Sequence, residues 1–448
     1  MKNIKTHIKR KMTIIVLFVV ITLLYLADTL LGNYIHGTVD TLFVVFIAGL
    51  LMLSALSTVL AEGTVFPSFI VALFVGISLH DLLLPLVSNP ILLNTIITVS
   101  AIYILFGGGL EIVFSQFKKI VLPTLLLSFV GLTISIFFFP YLLTLFPIFG
   151  DYGITITVML LLGAVLASTD PAAIIPVLKK LSFKKNQIKD IVVSESALTD
   201  VTGTLVTFSF LFYLSDKINF SSVSEGFLAL LNKNSFSFLA TEISFGILAG
   251  LVGFVILHLF LKRKAIVKEG CADVALFIAV PLVAYSLATL FHGSGYLAAF
   301  ISGLLILINE KVSRTESFFS DMTDGIAKPL IFIFLGAMID IDSLIQYAIP
   351  GIIAGLLFIF VVRPLSVFAS LYLFRKKMGL TAKELIFISS IRETGVIPAV
   401  LLLQVAASPF VIVGDGFLAI GMWVIMLTLI LLPSITPWIA KKLDILKD

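Results

Sequence analysis

The sequence has little of what soluble and secreted proteins are built from. Only 12% of its 448 residues are charged, and it has a single cysteine, Cys271. One cysteine excludes an intrachain disulfide framework and leaves packing within a membrane as its expected role. Long polar stretches are also missing: the longest joint, about Ser215 to Ser237, is too short to bury a core of its own, so no soluble domain is expected. The five histidines, His7, His36, His80, His258 and His292, are scattered around segment ends without metal-ligand spacing. No cofactor is expected. The net charge of +4 reports on topology and is no sign of a nucleic-acid partner.

What the chain has in abundance is apolar sequence: 59% of residues are hydrophobic and mean hydropathy is +1.17. It is therefore an integral membrane protein in contact with lipid. Apolar stretches of about 18–25 residues recur from end to end, the length an α-helix needs to cross a bilayer, whereas barrel strands would alternate over about ten. About fourteen segments are expected, at 11–31, 41–60, 65–85, 91–113, 119–147, 154–178, 190–215, 237–261, 272–290, 294–309, 325–346, 349–374, 384–406 and 413–439. The first lacks a small-residue cleavage site and reads as a retained helix. With the N-terminus in the cytoplasm and sides alternating, about 25 of the 30 Lys and Arg fall on the cytoplasmic side. Only Lys217 and Lys233 fall outside, which supports an all-α multi-pass protein of the cell membrane with both termini cytoplasmic. Lys328, Arg363 and Arg392 remain, in or at the edge of membrane segments.

Two segments carry their own interruptions. Pro171 and Pro176 lie in the sixth, and Gly395 and Pro398 in the thirteenth. Proline removes a backbone donor and clashes with the preceding turn, so both segments should contain unwound stretches, tolerated only where they line a cavity. Paired broken helices of this kind point to the binding site of a transporter built from inverted repeats, and an offset of seven segments gives them opposite orientations.

Around the first break lie ASTDPAAIIP (Ala167 to Pro176) and SESALTDVTGT (Ser194 to Thr204). A carboxylate in hydrocarbon costs roughly 2.5–3.5 kcal/mol on insertion scales and is kept only where it meets water, a partner or an ion. Asp170, Glu195 and Asp200 are three such groups. Asp170 precedes Pro171 at the break, where capping the following half-helix is its structural alternative. Asp200 lies mid-segment, with a plain salt bridge as its alternative. Ser196 is one turn before Asp200 on the same face, and carbonyls are freed around Thr169, so these oxygens could cage a hard monovalent cation. Glu195 points about 140° away from Asp200 and is expected to pair with Arg363 or Arg392, since arginine cannot discharge its cost by deprotonating. Glu111 ends FGGGLE near the cytoplasmic edge, either as a gate or as a solvated helix end. Glu393 would balance Arg392, and Lys328 is expected to snorkel to the interface.

In order, FPSFIVALFVGI, LFGGGLE, STDPA, SESALTD, SGYLAAFISGLL, PLIFIFLG, RPL at Arg363 and IRETGVIP resemble the sodium/proton antiporters of the NhaP and NHE type over about residues 41–440. The resemblance implies that Asp200 exchanges a proton for a cation, with Asp170, Ser196 and the Thr169 carbonyl helping to coordinate it. It also implies that Glu195 and Arg363 brace the core and that Arg392 sits by the crossing of the broken helices. The family fold implied has thirteen helices in two inverted repeats, so the helix within 1–33 would be an N-terminal addition. A homodimer is implied, with 41–113 and 237–346 as dimerisation domain and 119–215 and 349–440 as a six-helix transport core. This chain departs from the family at three places. Thr199 stands where relatives carry Asn, or Asp in electrogenic members; Ser194 replaces the usual Gly; and IRET replaces LRG.

The function expected is exchange of sodium, lithium or potassium for protons by alternating access, one for one because Thr199 adds no titratable proton. A potassium-selective antiporter is the alternative. An intramembrane aspartyl protease would place its aspartates in YD and GxGD contexts rather than STDP and LTDV. A passive channel would need a carbonyl filter or a pore ring.

Overall fold

A computed structural model describes residue 22 and residues 39–62, 64, 67–112, 114–169, 178, 181–185, 187–215, 219–263, 271–306 and 313–447. The span expected at 11–31, apart from Thr22, and the stretch from Asp170 to Val177 lie outside the described residues. Among the described residues the chain is helical with no strand, save an isolated antiparallel bridge between Phe183 and Leu446. Among the described residues six helices are long and apolar enough to cross a bilayer in one piece: Pro90–Leu110, Gln116–Thr144, Gln187–Leu214, Lys233–Phe260, Ala348–Leu371 and Asp415–Lys442. Shorter apolar helices, among them Val45–Ala61, Ile156–Leu166, Val274–Leu290, Gly295–Leu304 and Val396–Ala406, fill the spaces between them.

Local sequence explains where several of these begin and bend. Pro90 occupies the first position of its helix, where a missing N–H costs nothing, and the Asn89 side chain accepts from the Ile91 and Leu92 amides. Thr381 and Glu384 form a reciprocal capping box. The segment expected as one span at 65–85 is instead two helices, Ser68–Ser78 and His80–Val87, bent by 92°. Leu79 is followed by His80 and Asp81, which cannot continue into hydrocarbon. The chain turns there, and Leu83, Leu86 and Val87 cover the protein while Asp81 faces out. His80 Nδ1 lies 2.8 Å from the Ala337 carbonyl and fixes the corner.

Two π-helical turns share one cause. Thr323–Ala327 leads into Lys328 and Pro329, and Phe358–Val362 leads into Arg363 and Pro364. A helical proline clashes with the carbonyl four residues back, and widening that turn relieves the clash without breaking the helix. In both cases the residue just before the proline is the basic one.

Glycines set the closest crossings. A Cβ on Gly109 would strike the Phe300 carbonyl and one on Gly303 the Phe106 carbonyl, so Pro90–Leu110 and Gly295–Leu304 cross backbone to backbone. Gly76 and Gly336 do the same for Ser68–Ser78 and Lys328–Ala337. Without a hydrophobic drive between helices in lipid, such close contact is what holds them together. At the end where the last helix finishes, Lys184 pairs with Asp444 at 2.9 Å beside the Phe183–Leu446 bridge. The Lys184 ammonium holds the Asp444 carboxyl below the usual carboxylate range.

Candidate functional site

The helix Ile156–Leu166 ends at Ala167, and Ser168 and Thr169 continue as irregular chain against the side of Gln187–Leu214. Gly203 permits this approach, because a Cβ there would lie 3.1 Å from the Ser168 Cβ. The unwound backbone is satisfied by hydroxyls of the neighbouring helix. Ser196 Oγ donates to the Thr169 carbonyl at 2.6 Å, and the Thr169 amide donates to Thr199 Oγ1 at 3.2 Å. Thr199 Oγ1 itself donates to the Ser196 carbonyl at 2.9 Å, so in the 2.9 Å contact between the two threonine hydroxyls Thr169 is the donor. Thr199 thus ties the break to the Asp200 helix.

Asp200 is 9% exposed and accepts a 2.7 Å hydrogen bond from Ser168 Oγ. It faces a cavity of about 70 Å³, whose wall also includes Ser196, Gly107, Gly108, Glu111, Phe319, Thr323, Asp324 and Lys328. That is room for several waters, since about 10–15 Å³ holds one. Ser196, Lys328 and Phe319 are buried, whereas Glu111, Ser320 and Asp324 are exposed and form the rim. Asp200, Ser196 and Thr169 therefore bring a carboxylate, a hydroxyl and a carbonyl together, a donor set suited to a hard cation. Asp170, expected beside them, lies outside the described residues.

Glu195 faces away from this cavity. Its carboxylate meets Arg363 end-on, Nη1 to Oε1 at 2.5 Å and Nη2 to Oε2 at 2.9 Å, with both side chains almost fully buried. Arg363 Nη2 also donates to the carbonyls of Ile388 and Ile391, where the helix Ala382–Ser389 gives out. Arg392 is the counterpart at the other break: Nη2 donates to the Ala167 carbonyl at 2.6 Å and the Leu166 carbonyl at 3.4 Å, Nη1 to Ser135 Oγ at 3.2 Å. Its guanidinium also lies 4.5 Å from the centre of the Phe358 ring. Each arginine thus caps carbonyls at the C-terminal end of a broken helix, where the helix dipole favours positive charge. The two breaks adjoin through Arg392. Glu393 is buried next to it, and the Thr394 amide in the second break donates to Thr428 Oγ1.

The geometry corrects one expectation. Lys328 does not extend to the interface; it is 8% exposed and pairs with Asp324 Oδ1 at 2.7 Å inside the cavity wall. The reason is the π turn before Pro329, which sets its side chain on the inner face. Three features went unread in the sequence. Ser168 gave no signal because buried Ser and Thr usually bond their own helix, as Thr124 and Ser135 do here. Asp324 was not singled out, because a carboxylate at the start of an apolar segment is ordinary. The third is a polar cluster in which Gln404 Nε2 donates to the Tyr296 hydroxyl and, at 3.4 Å, to Thr98 Oγ1, while Phe208 stacks on Tyr296. Phe208 is two turns past Asp200, on the side away from Ser196, and Thr98 lies more than two turns from Gly107 and Gly108. The cluster therefore lies beyond Asp200 on the side away from Ser196.

A family profile described as the transmembrane sodium/hydrogen exchanger matches residues 50–442. The chain is 26% identical over 371 residues to the K(+)/H(+) antiporter NhaP of Alkalimonas amylolytica, covering 81% of this chain and 60% of that protein. It is 27% identical over 371 residues to the Na(+)/H(+) antiporter 1 of Methanocaldococcus jannaschii, covering 79% of this chain and 81% of the relative. It thus spans less than two thirds of the first relative's length. Its fold is that of the sodium proton antiporter MjNhaP1 from the same archaeon, with a TM-score of 0.74 at 22% identity over 90% of this chain and 99% of that one.

Removing one partner of a buried pair strands the other charge, at a cost of roughly 3–5 kcal/mol. Glu195→Gln is expected to lower the melting temperature of the purified protein far more than it changes cation affinity. A weakened affinity with unchanged melting would instead place Glu195 in the cavity's donor set.

Proposed function

Because this chain belongs to the sodium/hydrogen exchanger family, we propose that it exchanges a monovalent cation, sodium, lithium or potassium, for protons across the cell membrane. It is a transporter rather than an enzyme. The observation that carries the reading is a buried carboxylate, Asp200, at the wall of a small cavity, beside an unwound helix whose Thr169 carbonyl and neighbouring Ser196 hydroxyl are also at hand. Burial favours the protonated carboxyl and a bound cation favours the carboxylate, so one site holds a proton or a cation but not both. Asp170 completes the donor set in this proposal, and Glu111 stands at the entrance.

Alternating access follows from where the site is open and where it is closed. With both termini cytoplasmic, as the distribution of Lys and Arg favours, the Glu111 rim faces the cytoplasm and the Thr98–Tyr296–Gln404 cluster faces outward. That cluster joins the second broken helix, assigned to the transport core at 119–215 and 349–440, to helices of the scaffold at 41–113 and 237–346. Core and scaffold must part there for the site to open outward. The thirteen-helix inverted repeat, the added N-terminal helix and the homodimer belong to the same proposal. Relatives named for sodium and for potassium leave both ions in play.

Asp200→Asn should abolish cation-dependent dissipation of a pH gradient in proteoliposomes while the protein stays folded; wild-type rates would refute the assignment. Exchange should be electroneutral, since Thr199 brings no second titrating group. Solid-supported membrane recordings should show no sustained charge movement after a sodium or potassium jump, and a robust transport current would overturn that stoichiometry. Cysteines placed at Thr98 and Gln404 in a Cys271→Ser background, joined by a short bifunctional thiol reagent, should stop exchange until the link is cleaved. Undiminished exchange in fully linked protein would rule out opening at this cluster.

A further inference from the structure

We infer that Lys328 and Asp324 set how tightly the Asp200 cavity holds its cation, Lys328 as a resident positive charge that weakens binding and Asp324 as the exposed carboxylate that strengthens it. This rests on the exchange reading above. Both side chains line the same cavity as Asp200, Ser196 and Glu111. The pair is made at 2.7 Å and is lopsided: the Lys328 side chain is 11% exposed and that of Asp324 58%. A helix-surface pair formed only for local stability keeps both ends in water. Here the ammonium is drawn inward, and the turn between the two residues is the π turn Thr323–Ala327, a feature often found at functional sites.

Counting formal charges at the wall gives three carboxylates, Asp200, Glu111 and Asp324, against the one ammonium of Lys328. The excess of negative charge draws cations in. Lys328 removes part of it, and at an effective dielectric of about 20 one like charge some 10 Å away changes affinity on the order of tenfold. A transporter needs such a counterweight, because an ion must bind well enough to load and weakly enough to leave. Asp324 acts in the opposite sense. It adds negative charge at the rim and pairs with the Lys328 ammonium, and because it is exposed its influence is screened by salt.

The test is cation-dependent exchange in proteoliposomes, with KM and kcat measured separately for wild type, Lys328→Met, Lys328→Arg and Asp324→Asn at low and high ionic strength. Lys328→Met should lower the cation KM by about tenfold and lower kcat as release slows, while Lys328→Arg keeps the wild-type KM. Asp324→Asn, at a side chain that is 58% exposed, should raise KM several-fold at low ionic strength and less at high. An unchanged KM in both charge-removing variants, or a rise in both, would overturn the inference and leave a merely structural pair. Should Lys328→Met fail to fold, Asp324→Asn decides alone: a raised, salt-sensitive KM supports the inference, and an unchanged one overturns it. If the wild type itself shows no exchange of any monovalent cation for protons, the functional reading fails instead.

Discussion

A backbone that unwinds within a membrane must find partners for every N–H and C=O it frees, because no water is there to take them. In this protein the partners at two adjoining breaks are specific side chains. Arg392 takes the carbonyls of Leu166 and Ala167, Arg363 those of Ile388 and Ile391, Ser196 and Thr199 the groups of Thr169, and Thr428 the amide of Thr394. The arginines carry a permanent charge into the interior, and Glu195 answers one of them. Everything else about the site follows from keeping these breaks intact, including the close approach that Gly203 allows.

In the function proposed, this arrangement separates bracing from exchange within one stretch of helix. Glu195 and Asp200 are five residues apart, so they face different neighbours: one a guanidinium, the other a hydroxyl and a small cavity. A carboxylate paired with arginine braces the fold, whereas one facing a polar cavity can be neutralised by a proton or by a metal ion. The proposed exchange uses the second kind, and the first holds it in place.

Much of this was legible from residue order. The apolar segments, the break that ends at Gly395, the shared face of Ser196 and Asp200, and the divergence of Glu195 all follow from helical geometry and the cost of buried charge. What stayed hidden depends on contacts between distant segments. Thr98, Tyr296 and Gln404 are ordinary residues in three separate helices, and nothing local marks them as one cluster. Lys328 looked like an interfacial lysine because its burial comes from a π turn caused by the following proline. The bend at Leu79 was masked by an apolar run long enough to read as one span. Ser168 needed the neighbouring helix to be seen as the partner of Asp200.

Competition between a proton and a cation at Asp200 is the central claim, and proton release from the purified protein measures it most directly. When sodium, lithium or potassium is added to wild-type protein in weakly buffered detergent solution, competition requires a saturable release of protons that grows with protein concentration and disappears in Asp200→Asn. Saturable cation binding by the wild type without proton release, or equal release from Asp200→Asn, would contradict it.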